Sequence, residues 1–219
     1  MVRPACLSLL LTPVCIALVA SLLSEPARAD CPAICAQLNS STPVCSTESS
    51  FEFDFYNPRA ACAWDLGRGI LDVSSSSPAN LSCDLTVEDD WEATGPASGT
   101  PIDLTARLAT TLGATPEEHE VGLIATLQEG ASNVDSLSVW APNGWTDTLS
   151  VAVHVEAGVP FRMIHHLRLL TSGSYNQNWV TGQILFVGIP EGVEIKSCQG
   201  VALVATRPST WGALKARYR

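Results

Sequence analysis

Positive charge is scarce in this sequence of 219 residues. It has 12 lysine and arginine residues against 22 aspartate and glutamate residues, and its formal net charge is −10 at pH 7. An acidic chain repels phosphate groups, so DNA and RNA are excluded as its main partners. The sequence also lacks a Gly-x-Ser-x-Gly motif and a phosphate-binding glycine loop. These absences exclude the most recognisable hydrolase and nucleotide-binding signatures, and no cofactor is expected.

Helical periodicity is scarce as well, and alternation of apolar and polar residues takes its place. Phe51–Phe55 places three rings on one side and two acids on the other, and Ile102–Leu108 and Leu149–Val155 alternate in the same way. Short turn segments rich in glycine and proline separate these runs. The pattern predicts an all-β fold, an antiparallel β-sandwich of jelly-roll or Greek-key type with about nine to eleven strands.

Long apolar runs are absent except at the N-terminus. Arg3 is followed by the apolar stretch 7–23 and then by a segment that ends in Ala27-Arg28-Ala29. A basic start, an apolar centre and an Ala-x-Ala end are typical of a cleaved signal peptide. We therefore predict that residues 1–29 are a leader, that the mature chain starts at Asp30, and that it is extracellular or at the cell surface. An uncleaved anchor is the alternative, and no later stretch is predicted to cross a membrane.

Six cysteines remain after this leader, and an even number in an exported chain predicts three disulfides. They are Cys31, Cys35, Cys45, Cys62, Cys83 and Cys198. Fifteen pairings are formally possible. Four of the six fall in a short N-terminal stretch, which we expect to be stapled locally, and we expect Cys83 to pair with Cys198. A metal site at these cysteines is not expected, because no histidine lies within the cluster.

The remaining chain divides into three predicted parts. Residues 30–65 form a cysteine-rich N-terminal segment, 66–205 the β-sandwich domain, and 206–219 a basic C-terminal tail. Trp211, Leu214 and Tyr218 have helical spacing, which predicts a short helix or tail. The tail carries four basic residues and no acid beside a strongly acidic body. It could fray, dock on the body, or act as a recognition segment.

Two segments resemble known proteins. The pattern from Gly95 through Leu108, together with Ile189–Gly200, resembles secreted bacterial β-sandwich proteins of uncharacterised function. The ending 209–219 resembles a short Trp-Gly…Lys…Tyr-Arg tail of exported bacterial proteins. The resemblance implies export, a sandwich fold and attachment to the cell envelope, and it transfers no catalytic residue. It makes the following residues candidates for a sorting tail: Trp211, Gly212, Lys215, Tyr218 and Arg219.

Tryptophans are the best candidates for binding. Trp140 and Trp145 flank a Pro-Asn-Gly turn, where two flat apolar faces would stack on a sugar ring or on a cell-surface protein. Trp91 and Trp179 would extend such a platform. The competing interpretation is that these rings complete the core, because tryptophan is usually well buried.

Ionisable residues give weaker candidates. His154 and Glu156 share one face of their predicted strand, and His166 would join them in a metal or acid–base site if the two strands were neighbours. Glu88-Asp89-Asp90 suggests calcium, but no regular ligand spacing supports it. We therefore predict no metal site and no catalytic residue.

The leading hypothesis is an exported, non-catalytic β-sandwich that acts as a surface, adhesive or structural binding module. One alternative is a carbohydrate-binding module that uses exposed tryptophans. The other is a secreted hydrolase whose site has no recognisable motif.

Overall fold

Alternating burial along almost every strand shows how the chain folds. The structure, a computed structural model, describes residues 31–56, 59–77, 80–115, 120–131, 133–172, 176–199 and 202–203. The predicted leader 1–29 and the predicted tail segment 206–219 lie outside these residues. The described residues form fourteen strands and no helix. None of their elements is a helix long and apolar enough to span a membrane.

The strands, in chain order, are β1 Ile34–Leu38, β2 Val44–Ser46, β3 Ser50–Tyr56, β4 Arg59–Asp65, β5 Ile70–Ser77, β6 Leu81–Thr94, β7 Pro101–Thr115, β8 Val121–Glu129, β9 Asn133–Ala141, β10 Thr146–Glu156, β11 Pro160–Thr171, β12 Asn176–Val187, β13 Glu194–Ser197 and β14 Ala202–Leu203. This is more than the nine to eleven expected. The difference arises because the cysteine-rich stretch contributes four strands of its own, β1 to β4.

Two antiparallel sheets make up the sandwich. The eight-stranded sheet has the order β14-β13-β6-β11-β8-β9, with β1 also on β6 and β2 on β1. The six-stranded sheet has the order β10-β7-β12-β5-β4-β3. The predicted all-β antiparallel sandwich is therefore confirmed. Both β1 and β13 pair with the same edge of β6, at Cys83–Thr86 and at Trp91–Thr94 respectively.

The core lies between the two sheets, where the inward rows of both meet. Trp91 of β6 contacts Phe186 of β12 edge-on, with ring centroids 5.1 Å apart. Gly182 of β12 lets the sheets approach, since a Cβ atom there would lie 2.7 Å from a methyl of Leu167 on β11. Burial of such apolar side chains is the main favourable term in folding.

Two of the inward positions carry ionisable side chains. Asp89 on β6 and His165 on β11 are both fully buried. Burial raises the pKa of Asp89 to about 7. Burial lowers the pKa of His165 to about 4. Each shift favours the neutral form, because a charge in an apolar interior is costly.

Candidate functional site

A cavity of about 570 Å³ opens at one side of the six-stranded sheet, across β3, β4, β5 and β12. Small-molecule sites in proteins have volumes of roughly 300–1,000 Å³. The residues that line the cavity are Asp54, Phe55, Arg59, Ala60, Ala61, Ser74, Ser75, Ser76, Gln177, Asn178 and Trp179.

One row of cross-strand neighbours organises this cavity. Asp54 pairs with Ala61, Ala61 with Ser74, and Ser74 with Trp179. All four belong to the row that alternates with the buried positions, so they lie on the outer face of the sheet. The small side chains of Ala61 and Ser74 form a low floor. Trp179 and Asp54 stand on either side of it, three strand spacings or about 14 Å apart.

Trp179 has a defined orientation. Its strand β12 also pairs with β7, where its partner is Gly113. The indole lies over that glycine, because a Cβ atom at residue 113 would collide with Cε2, Cζ2 and Nε1 of the ring. The side chain is still 37% exposed. One face of the indole therefore rests on the backbone, and the other is free to meet a ligand.

The next row of the outer face is polar. Gln177 pairs with Ser76, and Arg59 is on the adjacent strand. All three are exposed. No side-chain hydrogen bond or ion pair ties Arg59, Ser76, Gln177 or Asp54 to another residue in the described part of the chain. The cavity therefore offers an amide, hydroxyls and one charge of each sign, all available to a ligand.

The other three candidate tryptophans do not line this cavity. Trp91 is fully buried against Phe186, so the prediction that it contacts a ligand is corrected: it is a core residue. Trp145 is half-buried and packs against the core. Trp140 is 49% exposed, but it lies on the outer face of the eight-stranded sheet, over Gly122. Trp140 and Trp145 therefore do not build the predicted platform, because one faces solvent and the other the core.

The three predicted ionisable residues do not converge. His154 and Glu156 lie on β10, whose only partner among the described strands is β7 of the six-stranded sheet. His166 lies on β11 of the other sheet. His154 Nδ1 is 2.6 Å from Oδ1 of its cross-strand neighbour Asp103. The described residues contain no group of three or more side chains placed to hold a metal ion.

The acidic run of β6 is divided between two faces. Glu88 and Asp90 point outward and accept hydrogen bonds from Arg162 at 2.7–3.0 Å, whereas Asp89 points into the core. Further along the same outer face, burial raises the pKa of Asp84, but hydrogen bonds from His166 and Arg168 outweigh it and leave the pKa below its usual value. On this face, charged side chains of neighbouring strands pair with one another. Because successive side chains of β6 point to opposite faces, the three acids of the run do not converge on a calcium site.

The cysteines pair differently from the expectation. The structure contains the disulfides Cys31–Cys198 and Cys35–Cys45. The predicted Cys83–Cys198 bond is wrong, because Cys198 follows Ser197, which pairs with Trp91 about 26 Å along β6 from Cys83. Cys83 and Cys62 are buried thiols whose sulfur atoms are 3.0 Å apart.

No protein-family model matches the chain, and no curated protein sequence matches it. Among solved structures, the chain is similar to TmCBM61 in complex with β-1,4-galactotriose, with 10% identity, a TM-score of 0.32, and coverage of 69% of this chain and 86% of that one. It is similar to a CBM4 structure, with 15% identity, a TM-score of 0.25, and coverage of 56% and 85%. It is also similar to a promiscuous carbohydrate-binding module of the β-sandwich superfamily, with 8% identity, a TM-score of 0.28, and coverage of 72% and 85%. At TM-scores this low, the likenesses assign neither a family nor a ligand to this chain.

Proposed function

We propose that this protein is a non-catalytic binding module that takes a neutral carbohydrate into the cavity beside Trp179. The observation that carries the proposal is the exposed, oriented indole of Trp179 at the edge of a cavity whose lining also includes hydroxyl, amide and charged side chains. The sequence suggested the Trp140–Trp145 turn as the carbohydrate site. The site proposed here lies instead on the outer face of the six-stranded sheet.

Sugar chemistry fits this arrangement. A pyranose has an apolar face of C–H groups, which stacks on a flat aromatic ring, and a rim of hydroxyls, which both donate and accept hydrogen bonds. Trp179 supplies the ring. Gln177 supplies an amide that donates and accepts, and Ser74 and Ser76 supply hydroxyls. A ligand lying on the floor would meet all of these groups at once.

The charges of the cavity favour a neutral sugar. Asp54 and Arg59 are the two ionisable residues of its described lining, and their formal charges cancel. The acidic chain as a whole would disfavour an anionic polysaccharide at long range. Hydrolysis is less well supported than binding, because glycoside hydrolysis ordinarily uses two carboxylates and the described lining holds only Asp54.

The proposed place of action is outside the cytoplasm. Two disulfides support it, since such bonds persist in oxidising compartments. The leader 1–29 and the sorting role of residues 206–219 remain predictions. Deletion of residues 209–219 from the exported chain, followed by cell fractionation, tests the sorting role: a changed location supports it and an unchanged location contradicts it.

Binding to a partner protein is the second candidate, and one observation favours it. Val134 and Trp140 are both about half exposed on the outer face of β9, an edge strand. Exposed apolar side chains on an edge strand are suited to contact with another protein. Carbohydrate binding is nevertheless the function tested first, because the cavity combines an aromatic face with free polar groups.

The test compares two exposed tryptophans in one assay. Wild type, Trp179→Ala and Trp140→Ala are labelled and applied to an array of neutral and uronic-acid-containing oligosaccharides. We expect wild type and Trp140→Ala to bind the same neutral oligosaccharides and Trp179→Ala to lose at least tenfold in signal. Absence of wild-type binding to every oligosaccharide, or an equal signal from both variants, would contradict the proposal.

A further inference from the structure

The buried thiols of Cys62 and Cys83 form the one pair of sulfur atoms that faces across the core in the described chain. Cys62 is on β4 of the six-stranded sheet, and Cys83 is on β6 of the eight-stranded sheet. Both are inward-facing and fully buried. Their sulfur atoms are 3.0 Å apart, about 1 Å more than the length of a disulfide bond. Small side-chain rotations would therefore bring them to bonding distance.

The other four described cysteines are oxidised to disulfides, which indicates that this protein folds in an oxidising compartment. Cys31 is bonded to Cys198, which is distant in sequence, and Cys35 is bonded to Cys45, which is near. Both bonds lie in the eight-stranded sheet or beside it. A compartment that maintains those bonds would oxidise a third pair held this close. Among the described residues, Cys62 and Cys83 have no other cysteine to pair with, because the remaining four are already in disulfides.

We propose that Cys62 and Cys83 form a third disulfide, which links the two sheets of the sandwich through the core. In this step the two thiols lose two protons and two electrons, and one S–S bond forms. The electrons reduce the disulfide of a thiol–disulfide exchange protein to two thiols by way of a mixed disulfide.

Burial determines when this bond forms. The thiolate is the reacting species in exchange, and it needs contact with the oxidant. The hydrogen bond with Cys83 and burial raise the pKa of the Cys62 thiol well above its ordinary value, so Cys62 is almost entirely protonated in the folded protein. The bond therefore forms during folding, when β4 and β6 have met but before the core closes around the thiols, and the folded protein then protects it from reductants.

The link also reaches the cavity. Ala61, the residue before Cys62, forms part of the cavity floor on the opposite face of β4. A covalent bond from β4 to β6 would fix the strand that carries this floor. This inference does not depend on the identity of the ligand and stands even if the proposed carbohydrate binding fails.

A non-reducing tryptic map tests the proposal directly on the exported wild-type protein. After alkylation of free thiols in denaturant, trypsin releases Cys62 in peptide 60–68 and Cys83 in peptide 69–107, each as the peptide's single cysteine. Because trypsin does not cleave between Arg207 and Pro208, Cys198 is released in peptide 197–215, which must appear linked to the peptide that ends at Arg59 and provides an internal control for oxidation.

In the protein that passes this control, we expect peptides 60–68 and 69–107 to appear as one linked species that separates after reduction. Recovery of the two peptides unlinked and alkylated would overturn the proposal. Linkage of either peptide to a different cysteine would overturn it as well. We further expect the link to survive dithiothreitol in the folded protein and to be lost when denaturant is added.

Discussion

The indole of Trp179 on β12 lies over the backbone of Gly113 on β7, where any larger residue would displace it. Trp140 on β9 lies over Gly122 on β8 in the same way, but on the other sheet. Comparing the two pairs separates the effect of the cavity from the effect of an exposed tryptophan as such. Both indoles cover a glycine, and only Trp179 borders the cavity.

Gly113→Ala is expected to weaken carbohydrate binding by about tenfold, or about 1.4 kcal/mol, without removing the tryptophan. The φ angle of Gly113 lies outside the left-handed region, so alanine suits the backbone and acts by displacing the indole. Isothermal titration with the strongest oligosaccharide of the array measures the change.

Gly122→Ala is the matched control, because its Cβ atom would lie 3.0 Å from Trp140 and 2.7 Å from Leu170 Cβ. It is expected to leave affinity unchanged even if it lowers stability. Equal loss of affinity in both glycine variants would show that binding responds to general destabilisation and not to the position of the Trp179 indole.

Trp91→Ala is expected to lower the free energy of unfolding by about 3–5 kcal/mol, because it removes a fully buried ring that contacts Phe186. Trp179→Ala is expected to change it by about 1 kcal/mol or less, because its side chain lies on the surface. Urea unfolding of both variants measures the difference. Similar losses would mean that Trp179 is a core residue like Trp91.

Asp89→Asn is expected to remove a pH dependence of stability. The folded pKa of Asp89 is about 7 and the unfolded value is near 3.8, so the folded state binds more protons between these values. Its contribution is fully present below the unfolded value and is lost as pH rises through about 7. Relative to the variant, wild type should therefore lose stability from pH 4 to pH 8 in urea unfolding. A constant difference over this range would contradict burial of the carboxyl.

His165→Gln is expected to show the opposite slope. Burial lowers the folded pKa of His165 to about 4 from an unfolded value of 6.5, so the folded state binds fewer protons in that window. Its contribution is present above the unfolded value and is lost as pH falls through about 4. Relative to the variant, wild type should lose stability between pH 7 and pH 4, and a flat difference would place the imidazole in contact with water.

Alternation in the sequence was sufficient to predict the fold and part of the site. Leu81, Cys83, Leu85 and Val87 are inward-facing on β6, and Trp91 has the same parity, so its burial could have been read from the sequence. Val180, Ile184 and Phe186 likewise place Trp179 on the outer face of β12. Asp89 breaks this pattern, because it is a carboxyl at an inward position where an apolar side chain is expected.

The cavity itself could not be predicted, because it depends on the order of strands in space. Asp54 and Trp179 are far apart in sequence and share one row only because β12 pairs with β5, and β4 lies between β5 and β3. The prediction of the disulfide pairing was wrong for the same reason. Cys83 was assigned to Cys198 from sequence position, whereas its neighbour across the core is Cys62.

The central claim is that a neutral sugar stacks on Trp179. The chain has six tryptophans, so a ¹H–¹⁵N spectrum gives at most six indole Nε1–H signals, and single Trp→Phe variants assign them. On titration with the strongest oligosaccharide of the array, the Trp179 signal is predicted to shift in a saturable manner while the Trp140 and Trp91 signals stay in place. A saturable shift of Trp140 with Trp179 unmoved would contradict the account.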